Sequence, residues 1–319
     1  MLEVMIEPQR ICIGPRFGVS FYRTLRIPDD GRTYPLPPGL GVFPIFKVTD
    51  YHDRVPSVWR EHGGVFIPLY QREALWLGFT AAAWKPNAVK VAIGNINAVS
   101  GEAASEHLHV DPQDYVVCPE QIWLDGINAG TETIRQFVAM PLGQGYTVEA
   151  ALTGSEQIGG LQITVFEPKP GRFPDEPPSR EKHGPVRFAA AKSTRAGGVS
   201  MGLGAGGVMR QKIYPDPYGI EAWDQNNWGA VMVHLVNSEH FHTITGVEPP
   251  LPPIDAQTYT QYGLPWFDLY DETKGDVPPP ERLTSIKTVA QRDAERGTET
   301  TEATSIPDPT PQVTKIRRE

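Results

Sequence analysis

Two short stretches hold half of the histidines in the chain. Residues 105–109 read SEHLH and residues 238–242 read SEHFH, which together contain four of eight histidines. In a strand, side chains at i and i+2 share a face, with Cα atoms about 6–7 Å apart. His107 and His109 would then offer two imidazoles on one side, and so would His240 and His242. Imidazole pairs of this kind bind first-row metals, and Asp114 stands near enough in sequence to add a carboxylate. On this reading the chain holds a divalent metal: Zn, Fe, Mn or Ni. The plainer reading, which the sequence favours, is two polar strand ends with half-exposed histidines.

Residues 101–114 partly resemble the first metal motif of the cupins, a family of small β-barrels. That motif runs Gly, five residues, His-x-His, three or four residues, Glu. Gly101, His107 and His109 fit it, and Asp114 takes the place of the glutamate. Gln121 stands where the family has a later glycine, and no second cupin motif follows. The resemblance implies a metal-dependent cupin-like enzyme. A second vocabulary resembles that of the α/β-hydrolases: GVSMG at 198–202 and HGGV at 62–65. It implies Ser200 as nucleophile, Asp216 or Asp224 as acid, and His240 or His242 as base. The chemistry needs Ser200 on a tight strand-to-helix turn. The flanking KSTRAGG and LGAGGVMRQ supply neither a buried strand before it nor a stable helix after it. Gly202, Gly204 and Gly207 also spell G-x-G-x-x-G, but without a following helix they predict a glycine-rich hairpin or bulge.

Aromatic residues gather in WDQNNWG (223–229) and LPWFDLYDE (264–272). Trp223, Trp228 and Trp266 are candidates for stacking on a sugar or peptide, or else core anchors. Glu120 and Asp125, in PEQIWLDGI, are the carboxylates that a hydrolytic pair would draw on.

The elements that must position these groups are strands. The chain has 319 residues with 31 glycines and 32 prolines, which long helices tolerate badly and short strands joined by turns tolerate well. Apolar residues alternate at Phe17, Val19 and Phe21, at Val89, Val91 and Ile93, and at Leu161, Ile163 and Val165. Tyr146, Val148, Ala150 and Leu152 continue the alternation and predict a further strand. The expected fold is mostly β: an antiparallel β-sandwich or two small β-barrels, with few short helices. Residues 1–167 form an N-terminal β-rich region and 168–185 a proline-rich linker or loop. Residues 186–272 form a second β-rich region, with strands expected in VRFAAAKS, VMRQKIY and AVMVHLVN. Residues 273–319 form a polar Pro/Thr/Glu-rich tail, disordered or draped over a surface.

A net charge of −9 speaks against a general nucleic-acid binder. No apolar run approaches the roughly 18 residues of a membrane span. Two cysteines make no disulfide framework, and the first residues lack a signal-peptide pattern, so the expected location is cytoplasmic. No complete catalytic signature is present. The expected function is therefore that of a soluble, non-catalytic binding or assembly protein of unknown ligand. Its aromatic loops and C-terminal tail would meet a protein partner or a second copy. The alternatives are the metal enzyme and the hydrolase at Ser200.

Overall fold

A computed structural model describes residues 1–177, 199–270, 274–298 and 306–317. The stretch VRFAAAKS lies outside the described residues, as do the second half of the expected linker and residues 299–305 of the tail.

Seventeen strands join one hydrogen-bonded network. One arm runs, in spatial order, through strands Val4–Glu7, Arg10–Ile13, Phe17–Thr24, Ala74–Thr80, Thr133–Pro141, Ser200–Arg210 and Trp223–Asn237, all antiparallel neighbours. A second arm leaves Trp223–Asn237 and runs through Leu161–Pro168, Asn87–Ile93 and Val116–Cys118, again antiparallel. The fifteen-residue strand 223–237 thus belongs to both arms. On its other edge, residues Val233–Asn237 pair in parallel with Val65–Leu69.

The two arms enclose one apolar core. Ile11, Phe21 and Leu77 meet Val91, Ile163 and Val233 there, each at most 1 % exposed. Full burial of such a side chain contributes about 1.5–3 kcal/mol, so this layer is the main stabilising term. The fold is the expected one: mostly β, antiparallel and sandwich-like, with short helices. Among the described residues, no helix exceeds eight residues and none is long and apolar enough to cross a membrane.

Strand 200–210 accounts for the glycine run. A Cβ at Gly204 would lie 2.8 Å from the Tyr146 carbonyl oxygen and 3.0 Å from Val289 Cγ2. One at Gly207 would lie 2.2 Å from the Pro28 carbonyl oxygen. The register against strand 133–141 shifts at this point, so the expected bulge is present. The glycines let other segments sit directly on the strand.

Two segments differ from expectation. Residues Val148–Thr153 form a helix, not a strand. Thr147 caps it by accepting from the Ala150 N–H at 3.1 Å, and Gly154 closes it in the left-handed conformation. Residues Ser238–Thr245 also form a helix, capped by Asn237 and ended by Gly246. In both, end signals outweigh a short alternating pattern. Part of the tail lies on the body: Leu283 and Val289 are fully buried, and Asp293 is gripped by Arg72 at 2.7 and 2.8 Å. Burial pushes the Asp293 carboxyl up, but hydrogen bonds from Arg72 and Tyr146 outweigh it and hold the group below the usual carboxylate range.

A smaller core joins Trp59, Phe66, Val236 and Phe241. His234 stacks on Trp59 at 4.9 Å and donates from Nε2 to the Gly63 carbonyl at 3.0 Å. Its Nδ1 is buried with no hydrogen-bond partner among the described residues. Burial lowers the imidazole from 6.5 to about 4.

Two outcomes follow. Gly207→Ala lowers stability by about 1–3 kcal/mol through overpacking, read as a drop in the urea midpoint, while Gly275→Ala, where the nearest atom is 3.5 Å away, leaves it unchanged. Unfolded His234 takes up a proton below about 6.5, but the folded residue does so only near about 4. Its contribution is complete above about 6.5 and is lost as pH falls towards 4, on the order of 3 kcal/mol. His234→Phe flattens the decline in stability between pH 6.5 and 4.5; an unchanged slope would show that His234 does not set it.

Candidate functional site

The densest group of polar chemistry forms around Lys90. This lysine interrupts the apolar strand Asn87–Ile93, every residue of which is buried. Its stem lies within the sheet, and its ammonium emerges under the loop 105–114. There Nζ donates to Ser105 Oγ at 2.8 Å and to the His107 carbonyl, and pairs with Asp114 Oδ2 at 2.8 Å. The side chains of Lys90 and Asp114 are 5 % and 6 % exposed, so this ion pair is dry. Asp114 also accepts the His109 backbone N–H at 2.9 Å and His109 Nδ1 at 2.8 Å. Asn97 anchors the Asp114 carbonyl at 2.7 Å, and Gln225 holds the Leu108 N–H at 3.0 Å.

The structure therefore brings His109 and Asp114 together, but as a loop staple. His107 contributes its carbonyl oxygen. Among the described residues, no group of three or more histidines, cysteines, aspartates or glutamates is placed to hold a metal ion. The expected divalent metal, whether Zn, Fe, Mn or Ni, is overturned on that ground. The physical reason is that Asp114 already receives an ammonium, an amide and an imidazole. His240 and His242 fail differently. They lie on a helix, where residues two apart diverge by about 200° and cannot chelate as a strand pair would. His242 Nε2 lies 3.6 Å from Glu248 at an exposed position.

Ser200 opens strand 200–210, and the chain continues as strand through Arg210. The strand-to-helix turn that a serine nucleophile needs is not formed there. Asp216 takes hydrogen bonds from Tyr115 Oη at 2.6 Å and Trp223 Nε1 at 2.8 Å, and Asp224 caps the Asn226 N–H at 3.0 Å. Asp125 is buried against Gln211, and burial pushes its carboxyl up to about 7. Glu120 pairs with Lys274. Each carboxylate named from the sequence thus has a partner within the fold.

Trp223 is 1 % exposed and stacks with Phe173 at 6.3 Å. Trp266 is fully buried between Tyr34 and Tyr259, each 6.3 Å away. Trp228 is half-buried, 6.4 Å from Phe166. The apolar surface open to solvent lies elsewhere. Val247, Leu251, Tyr262 and Leu264 are 49, 45, 75 and 39 % exposed, and all fall within one eighteen-residue stretch. That stretch is tethered: Tyr70 Oη donates to the Pro250 carbonyl at 3.1 Å, Arg23 donates to the Leu251 carbonyl, and Tyr259 Oη donates to the Pro265 carbonyl at 2.9 Å. Lys90 was the residue to find from sequence, as the lone charge in NAVKVAI. The exposed stretch carries no such signal.

Removing one partner of a buried ion pair costs about 3–5 kcal/mol. Asp114→Ala should fall in that range by urea denaturation, and the double variant Lys90→Met, Asp114→Leu should lose less than Asp114→Ala alone. A double variant as unstable as the single would show that the pair is not the staple. Comparison with protein-family models, with curated proteins and with solved structures gives no match to this chain.

Proposed function

We propose that this chain is a non-catalytic binding or assembly protein that works by contact with other polypeptides. The observation that supports it most is the exposed apolar stretch 247–264, held on a fixed frame. Half of the large apolar side chains exposed among the described residues lie in it: four of Met1, Met5, Val58, Val110, Val247, Leu251, Tyr262 and Leu264. Prolines 249, 250, 252 and 253 keep the backbone extended, and Asp255 caps the helix Ala256–Gln261 that carries the approach to Tyr262. A surface ordered before binding loses little conformational entropy when it binds. Tyrosine is also among the residues that dominate binding energy at interfaces. The concentration of acid–base residues in structural contacts supports the same reading. Cys12 and Cys118 form no disulfide, which fits a reducing cytoplasm.

The test places a photo-crosslinking amino acid at position 262 of the full chain, in cells that make it. The expected result is a discrete adduct, identified by mass spectrometry as a second copy or another polypeptide. Leu264→Asp in the same chain should reduce its yield at least fivefold. Absence of any adduct at 262 and at 251 overturns the proposal.

A further inference from the structure

Residues 248–254 read EPPLPPI, with proline at 249, 250, 252 and 253. Each proline locks its own φ at about −65° and holds the residue before it in extended backbone. Glu248, Pro249, Leu251 and Pro252 each stand before a proline, so most of the run is constrained from both sides. The geometry this favours is polyproline II, a left-handed helix of three residues per turn without internal hydrogen bonds. Residues three apart then share one edge of a triangular rod. Pro249 and Pro252 lie on the first edge, Pro250 and Pro253 on the second, and Glu248, Leu251 and Ile254 on the third.

Burial follows that period. Pro252 is buried and Pro249 half-buried, so the first edge faces the body. Glu248 and Leu251 are exposed, so the third faces solvent until Ile254 turns onto the main core. The second edge is half-buried at both of its prolines. The body grips the segment by its main chain. Tyr70 Oη donates to the Pro250 carbonyl at 3.1 Å, and Arg23, itself fixed by Glu73, donates to the Leu251 carbonyl. The Leu251 side chain is thereby held outward at 45 % exposure. The surroundings are of one sign. From Glu239 to Pro265 the chain has three carboxylates, Glu239, Glu248 and Asp255, all exposed, and no lysine or arginine. Glu248 lies 3.6 Å from His242 yet stays 86 % exposed.

We infer that the ridge at Leu251, with Pro250 and Pro253 beside it, docks in the groove of a partner domain that recognises polyproline II. That groove is walled by aromatic rings and flanked by a lysine or arginine. Flat rings pack between the ridges of such a rod, which are apolar and evenly spaced. A rod locked by four prolines and two hydrogen bonds to the body is ordered before it docks, so little backbone freedom is lost. The cation answers Glu248 and its acidic neighbours, which steer the encounter and reject acidic grooves. The inference rests on the reading of stretch 247–264 as a contact with other polypeptides, and it names the class of partner.

The test is an NMR titration of an isotope-labelled WW domain, chosen for an arginine at the rim of its aromatic groove, with the unlabelled full chain. The reference ligand is the blocked peptide of residues 247–255, acetyl-Val-Glu-Pro-Pro-Leu-Pro-Pro-Ile-Asp-amide. The peptide shifts the indole N–H signal of the groove tryptophan. The full chain shifts the same signal and binds about as tightly as the peptide or up to roughly tenfold tighter, since its segment is already ordered. Leu251→Asp and Glu248→Lys in the full chain each weaken binding about fivefold or more and leave the melting temperature within a few degrees, as expected of exposed positions. Val58→Asp, at an exposed apolar residue outside the stretch, changes nothing. Binding of the peptide but not of the full chain overturns the inference, because the fold then hides the ridge. Silence from both overturns it as well. So do shifts that survive Leu251→Asp, which place the contact elsewhere. Self-association of the full chain that Leu251→Asp abolishes, seen by sedimentation, assigns the ridge to a second copy and overturns the partner stated here. A silent WW domain with adducts still formed at position 262 sinks this inference and leaves the binding reading standing.

Discussion

Every backbone N–H and C=O removed from water must find a partner, and one strand bears most of that demand. Strand 223–237 is fifteen residues long. Along one edge it is served first by strand 161–168 and then by strand 200–210. Along the other it is served by strand 65–69 for only its last five residues. The two arms of the sandwich exist because this strand changes neighbours part-way. Beside Ala230 and Met232, strand 4–7 approaches this edge and a groove of about 520 Å³ remains.

Burial decides what the charged residues do. Lys90 and Asp114 sit in the sheet's interior side by side, and each would be costly alone. Arg23 and Glu73 repeat the arrangement under residues 250 and 251: Arg23 binds Glu73 Oε1 and the Leu251 carbonyl, and burial raises the Glu73 carboxyl despite that partner. Arg72 and Asp293 do so for the C-terminal strap. The first two pairs fasten loops to the sheet, and the third fastens the helix Val289–Arg296. Loops that cross a sheet carry unsatisfied backbone, and an ion pair with spare donors fixes the loop and satisfies its carbonyls at once.

The fold class was legible because alternation at 17–21, 89–93 and 161–165 reports a buried sheet face directly. The helices were not. Residues 146–152 alternate as a strand would, yet Thr147 and Gly154 terminate a helix there, and a six-residue helix has too few turns to impose its own periodicity. The pentad at 238–242 shows the same limit, since Asn237 and Gly246 define its ends and its histidines therefore diverge. At the first pentad, the proximity of His109 and Asp114 was legible from spacing, but its purpose was not. That purpose depends on Lys90, which arrives from another strand fifteen residues earlier in the chain than Ser105.

His109, Asp114, Asp125 and Asp216 all serve as contacts within the fold. A reaction centre keeps at least one polar group uncommitted in a recess, ready for a substrate. Here Lys90, Asp114 and Asp125 each hold a partner within the fold, while His234 Nδ1 is buried without one among the described residues. The proposed role in binding draws instead on the apolar stretch 247–264, which Tyr70 and the Arg23–Glu73 pair hold in place.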